Sequence, residues 1–223
     1  MSPLVSDLPA DDSAAGGMFA TVKPLVLASA SPRRKSLLTE LGLRFRICPA
    51  DLDERPKAGE DPGDYVCRIA EEKARLVGED YATAWILAAD TTVVLDSEIL
   101  GKPRDSDEAL TMLHRLAGRE HMVLTGFALY CRREQLCHVD RVETRVRFAP
   151  FARELAGAYV RTGEPLDKAG GYGIQGKGGM LVAAIDGSYS NVVGLPLAEI
   201  VGLLAELGII EIRDSRPKPA ENA

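Results

Sequence analysis

Six consecutive residues, Ser29-Ala30-Ser31-Pro32-Arg33-Arg34, place two guanidinium groups at a point where an apolar strand gives way to a helix. Arginines in the first turn of a helix oppose the macrodipole, which favours negative charge there. Paired arginines beside free backbone amides become tolerable when an anion lies between them, and phosphate is the usual occupant. An arginine pair alone is more often a solvated basic turn; the strand-turn-Ser-Pro setting brings the anion reading level with it. A second signal is Asp90, in the apolar stretch from Trp85 to Leu95. A carboxylate there carries a desolvation penalty unless a cation or hydrogen-bond donors compensate it. A divalent metal or a lysine would balance it better than the hydroxyls of Thr91 and Thr92. Equally, Asp90 could open a turn between two short strands.

Lysines supply the complement. Lys73, Lys102 in Gly101-Lys102-Pro103, and Lys168 are point cations able to gather on a polyphosphate. Each alone is more often a surface lysine, but Lys73 falls on the same stripe as Ile69 and Val77. It must therefore snorkel, pair with an acid or meet a ligand. The run from Glu164 to Gly179 is dense in glycine, which lets backbone approach a ligand while Asp167, Lys168 and Gln175 supply polar contacts. It matches neither a P-loop nor a dinucleotide fingerprint. A flexible surface loop is the alternative. His114, His121 and His138 have no metalloprotease-like or triad-like setting and read as structural or surface residues.

Strand and helix patterns alternate around these residues. Leu25 to Ala28 suits a short buried strand, followed by a helix capped by Ser31, with Pro32 in its first position. Phe45 to Cys48 reads as a strand, and Pro49 to Gly63 as a polar loop. Tyr65, Val66, Ile69, Ala70, Ala74 and Val77 form the clearest helical stripe. Trp85 to Leu95 is a strand region interrupted at Asp90-Thr91-Thr92, with a short strand at Ile99-Leu100 after an Asp96-Ser97 turn. Asp105 and Glu108 suggest a capping box for a helix through Leu116. Met122 to Tyr130 and Val142 to Phe148 are strands, the second with alternating arginines and glutamate. A helix near Phe151 to Arg161, a final strand pair and a helix from Pro196 to Leu207 complete the fold. These patterns predict an α/β fold with a mixed sheet, one compact domain whose two lobes flank a cleft.

The 223 residues are 46% hydrophobic with a formal net charge of -6, which supports a packed interior and excludes wholesale nucleic-acid binding through a basic surface. Cys48, Cys67, Cys131 and Cys137 lack metal-site spacing and read as reduced thiols of a cytoplasmic protein. No apolar run approaches the ~18 residues of a membrane span. Residues 1–22 are expected to form a loose extension, 23–212 the domain, and 213–223 a loose tail.

Taken in order, Leu27 to Arg34, Ala89-Asp90-Thr91, Leu100 to Pro103, Glu164 to Gly170, Tyr172 to Gly176 and Asn191 to Pro196 resemble the Maf family, from about Pro24 to Leu207. The resemblance implies an elongated mixed sheet related to inosine triphosphate pyrophosphatases, with two lobes around a cleft. It also implies metal-dependent hydrolysis of a nucleoside triphosphate between the α- and β-phosphates. Asp90 matches the family's base and, with Glu54, its Mg²⁺ or Mn²⁺ ligands; neighbouring acids in Asp51-Leu52-Asp53-Glu54 could exchange roles with Glu54. Lys73 and Lys102 match catalytic positions, and Ser29, Arg33, Arg34, Thr91 and Gln175 match substrate positions, joined by Lys168 from the glycine-rich loop. Arg33, Thr91 and Gln175 follow the branch acting on dTTP and UTP. A Gln amide can offer a donor and an acceptor to the O4 and N3–H edge of uracil or thymine. Modified pyrimidine triphosphates, 7-methyl-GTP, or a nucleotide-binding regulator of division with incidental hydrolysis are the alternatives. The expected partner is a small nucleotide, without nucleic acid or membrane; a homodimer stays open.

Overall fold

A computed structural model describes residues 17–213. The strands are β1 (Phe19–Thr21), β2 (Leu25–Leu27), β3 (Arg46–Ile47), β4 (Trp85–Leu95), β5 (Glu98–Leu100), β6 (Glu120–Cys131), β7 (Leu136–Phe148), β8 (Val182–Asp186) and β9 (Ile210–Ile212). The helices are α1 (Pro32–Glu40), α2 (Pro62–Gly78), α3 (Ser106–Leu116), α4 (Arg153–Val160), α5 (Tyr189–Val193) and α6 (Leu197–Glu206). A seven-stranded mixed sheet runs in the order β3-β2-β4-β6-β7-β8, with β5 added against β4. The expected α/β class with a mixed sheet is therefore observed.

β4 is the axis of the molecule. It is one continuous strand, where an interruption at Asp90 was expected, because β6 pairs with it from Ile86↔Tyr130 to Val94↔Met122 and carries the ladder through Asp90↔Gly126. Its other edge is shared. β2 runs parallel to it as far as Leu27↔Leu87, and β5 runs antiparallel only from Val93↔Leu100 onward. Residues 88–92 thus have no strand partner on that side, and the gap opens at the carboxyl end of a parallel strand, where α/β sheets place their ligands. Strand alternation sends Asp90 and Thr91 to opposite faces.

Two large apolar clusters flank the gap. One gathers Leu27, Leu38, Leu87, Phe127, Leu195 and Leu204; the other gathers Leu113, Leu116, Phe148, Tyr159 and Leu181. These are the expected lobes. Against one face of the sheet, α2 buries Ala70, Ala74 and Val77 on Val26, Ile86 and Ala88. Its approach is close because Gly126 lies beneath it: a Cβ there would fall on the Val66 carbonyl group.

The ends of the domain differ from expectation. β1 pairs antiparallel with β9, Phe19 is buried, and Arg213 donates to the Met18 and Phe19 carbonyls. The boundary at residue 23 therefore moves back to the start of β1, and Arg213 leaves the tail. Three-residue strands carry no readable period, which is why pattern alone missed both. The rest of the predicted extension and tail lies outside the described residues. The expected final strand pair is one strand, β8, followed by the short helix α5. The Asp105 cap forms, accepting from the Glu108 amide at 2.9 Å, but the Glu108 carboxylate turns to Arg104 instead of closing the box.

β6 also buries His121, whose Nε2 lies 2.8 Å from the Tyr172 hydroxyl and whose ring packs edge-on against Phe148. Burial lowers its pKa from 6.5 to about 4. Between those values the unfolded chain binds the proton better, so stability is full above pH 6.5 and is lost as pH falls toward 4. Urea titrations across that window should show His121 contributing roughly 3 kcal/mol of the loss, with His121→Gln flattening the limb. Gly126→Ala should lower stability by about 1–3 kcal/mol by forcing α2 away from the sheet, read as a reduced urea midpoint with an unchanged slope.

Candidate active site

The gap beside β4 opens into a cavity of about 670 Å³ lined by Ser29, Arg33, Arg34, Glu54, Lys73, Asp90, Thr91, Lys102, Lys168 and Gln175. The structure thus brings every site residue expected from sequence to one place. They arrive from different elements: the β2–α1 turn and the first turn of α1, the loop before α2, α2 itself, the middle of β4, the turn after β5, and the glycine-rich segment between α4 and β8.

At the floor, Lys73 is buried and its Nζ lies 2.8 Å from Asp90 Oδ1 and 2.7 Å from Glu54 Oε1. This explains a lysine on an apolar stripe. It also decides among the neighbouring acids: Asp53 turns outward to Arg55, while Glu54 turns inward to Lys73. The Glu54 loop is held from α2 at further points. Tyr65 donates to the Glu54 carbonyl at 2.9 Å, and Arg68 grips both oxygens of Glu60.

The two acids on one lysine are pushed in opposite directions. Burial raises the Asp90 pKa beyond what Lys73 and Arg34 pull back, and Glu54 adds to the rise. Glu54 also meets a burial penalty, but the Lys73 hydrogen bond and charge, with Lys102 and Arg34, hold it below the ordinary carboxylate value. One group is therefore a better proton acceptor than a free aspartate and the other a more persistent anion, the division that acid–base sites require.

Arg34 is buried against the opposite wall. Its Nε donates to the Gly194 carbonyl at 2.8 Å, Nη1 to Ser29 Oγ at 3.1 Å and Nη2 to Thr91 Oγ1 at 3.0 Å. Arg33, one residue earlier on α1, instead faces the other lobe, with Nη1 3.6 Å from Asp167 Oδ2. Lys168 pairs with Asp167 and donates to the Glu164 carbonyl at 2.7 Å.

The glycine-rich segment is not a floppy loop. It forms three short 3-10 turns, Glu164–Asp167, Ala169–Gly171 and Lys177–Leu181. Glu164 accepts from the Tyr159 hydroxyl and from the Lys177 and Gly178 amides, and the Tyr159 hydroxyl accepts from the Gly173 amide. Gly170, at φ 67°, donates to the Gly101 carbonyl at 3.0 Å, which docks the Lys168 turn onto the Lys102 turn. Gln175 stands exposed on the cavity wall.

Sequence reading put Tyr65 on a helical stripe and Glu164 and Asn191 in motifs, but gave none of them, nor Tyr159 or Thr125, a role of its own in the site. Thr125 is fully buried in β6 and its Oγ1 lies 2.9 Å from that of Thr91. Its signal was available, being the same as that of Asp90: a polar residue inside an apolar strand.

The profile described as "Maf-like protein" matches residues 24–207. The chain belongs to the Maf family. Among relatives, the dTTP/UTP pyrophosphatase of Desulfotalea psychrophila is 53% identical over 195 residues, covering 87% of this chain and all of that protein. The dTTP/UTP pyrophosphatase of Myxococcus xanthus is 56% identical over 185 residues, covering 83% of this chain and 93% of its own. Among solved structures, the Staphylococcus aureus Ham1 protein overlaps 57% of this chain and 72% of its own at a TM-score of 0.38 and 13% identity.

In this Maf chain the three-group cluster at the cavity floor should dominate local stability. Lys73→Met leaves Asp90 buried without its partner and should cost roughly 3 kcal/mol at pH 7. Most of that should return in the Lys73→Met/Asp90→Asn double variant. Glu54 is 41% exposed at its side chain and contributes less. Chemical denaturation of the two variants checks this; equal losses in both would mean that the buried charge is not the cause.

Proposed function

We propose that this protein hydrolyses dTTP and UTP to the nucleoside monophosphate and pyrophosphate, with the base held at the Gln175 side of the cavity and the phosphates across Arg33, Lys102 and Lys168. One observation carries the reading: two carboxylates converge on a buried lysine in the floor of a cation-lined cavity. A pure phosphate binder gains nothing from acids beside its anion. A hydrolase needs one to take a proton from water. The names of the Desulfotalea and Myxococcus relatives support the substrate pair.

Glu54 and Asp90 also fit a divalent cation. Mg²⁺ is commonly held by one or two carboxylates, its other positions filled by water and substrate phosphates. When bound, such an ion polarises the phosphate and makes water a better nucleophile. Asp90, with its raised pKa, accepts the proton as water attacks the α-phosphorus and the bond to the bridging oxygen of pyrophosphate breaks. Arg33, Lys102 and Lys168 neutralise the charge on the leaving group. Lys73 keeps the two carboxylates from repelling each other throughout. Gln175 offers its amide N–H to the O4 of the pyrimidine.

The reading includes a cytoplasmic setting, supported by four cysteines that form no disulfide. No helix among the described residues is long and apolar enough to cross a membrane.

Purified protein should release pyrophosphate from UTP and dTTP with Mg²⁺ or Mn²⁺ and none after EDTA. Asp90→Asn should lower kcat by ~10²–10⁴-fold while thermal unfolding shows an intact fold. Full turnover by that variant would sink the assignment, and a preference for 7-methyl-GTP in a competition panel would redirect it.

A further inference from the structure

The two cavity hydroxyls bound to Arg34 have different hydrogen-bonding freedom. A hydroxyl has one proton to give and two lone pairs to receive. Ser29 Oγ receives Arg34 Nη1 at 3.1 Å and the Ser31 amide at 3.2 Å, so both of its acceptor positions are filled and its proton remains. Thr91 is the reverse: its Oγ1 receives Arg34 Nη2 at 3.0 Å, which leaves one acceptor position, and its proton is committed. Its Oγ1 lies 2.9 Å from Thr125 Oγ1, which lies 3.1 Å from the Asn191 carbonyl oxygen. A carbonyl can only accept, so the Thr125 proton points at Asn191, and the Thr91–Thr125 contact must then be made by the proton of Thr91. The opposite order would have Thr125 donate to Thr91 and Thr91 donate to the Gly194 carbonyl. That exchanges the 3.1 Å bond for one of 3.5 Å, onto an oxygen already holding Arg34 Nε. The longer separation lies well outside the range of a good O–H···O bond.

We propose that Thr125 is a positioning residue for specificity: by taking the proton of Thr91 it makes that hydroxyl an obligate acceptor, so the nucleoside must present a hydrogen-bond donor there. The inference rests on the nucleotide reading of the cavity and adds a chemical rule to it. The donor is either the N–H of a uracil or thymine edge or a sugar hydroxyl. Cytosine carries a lone pair at N3 where uracil carries N–H, so a base contact rejects CTP. A sugar contact ignores the base and rejects the 3′-deoxy nucleotide.

Thr125→Val removes the proton acceptor with little change of shape. The Asn191 carbonyl keeps its 2.9 Å bond from the Gly194 amide, so it is not stranded. Equilibrium binding of the non-cleavable α,β-imido analogues of UTP, CTP and 3′-deoxy-UTP, with Mg²⁺, reads the effect without turnover. In the wild type one analogue should bind at least about tenfold more weakly than the UTP form. In Thr125→Val and in Thr91→Val that ratio should collapse toward one, CTP marking the base and 3′-deoxy-UTP the sugar as the donor. The Thr91→Val/Thr125→Val double variant should match Thr91→Val, because Thr125 acts through Thr91. Ratios unchanged in Thr125→Val, equal affinities for all three analogues in the wild type, or additive losses in the double variant overturn the inference. Tight, discriminating binding without pyrophosphate release from UTP would instead overturn the hydrolytic reading alone. Failure of the wild type to bind any of the analogues overturns both.

Discussion

A lysine ammonium held between two carboxylates at the bottom of a cavity is the interaction on which the rest of this structure depends. Asp90 sits in mid-strand with its side chain nearly out of water, a position that is tolerable only with a cation in contact. Lys73 can reach it only if α2 lies flat on the sheet, and α2 can do so only because Gly126 offers no side chain beneath Val66. Glu54 completes the cluster from a loop that α2 also controls, through Tyr65 and Arg68. The geometry of this cluster and the packing of that helix are one problem with one solution.

The other face of β4 follows different physics. Thr91 enters a chain of neutral hydroxyls and carbonyls in which direction, more than charge, matters. Because β2 ends and β5 has not begun, a ligand in the gap meets both faces of the strand: the acids on one, the Arg34 network on the other. A sheet paired on both edges through Asp90 would bury these groups from each other and from any substrate.

The cations are supplied from both lobes. Arg33 comes from α1 and Lys168 from the segment after α4, and in this structure Asp167 lies between them, paired with each. Six cations, counting Arg34, Arg55, Lys73 and Lys102 with these two, line the cavity beside three carboxylates, Asp167, Glu54 and Asp90. That surplus falls short of a triphosphate's negative charge, a deficit that the proposed divalent ion would make up.

Much of this was legible in the residues. The period of α2 singled out Lys73, the apolar setting singled out Asp90, and Ser31-Pro32 marked the start of α1; caps, periods and desolvation act within a few positions, so a sequence states them directly. Other features needed the folded chain. Glu54 is one of several neighbouring acids, and no local rule says which turns inward. The continuity of β4 comes from β6 on its flank, not from its own residues. Thr125 lies 34 positions from Thr91 and 66 from Asn191, yet their proton order is set by contacts of about 3 Å. Such contacts depend on how distant elements pack, and packing is a property of the whole chain at once.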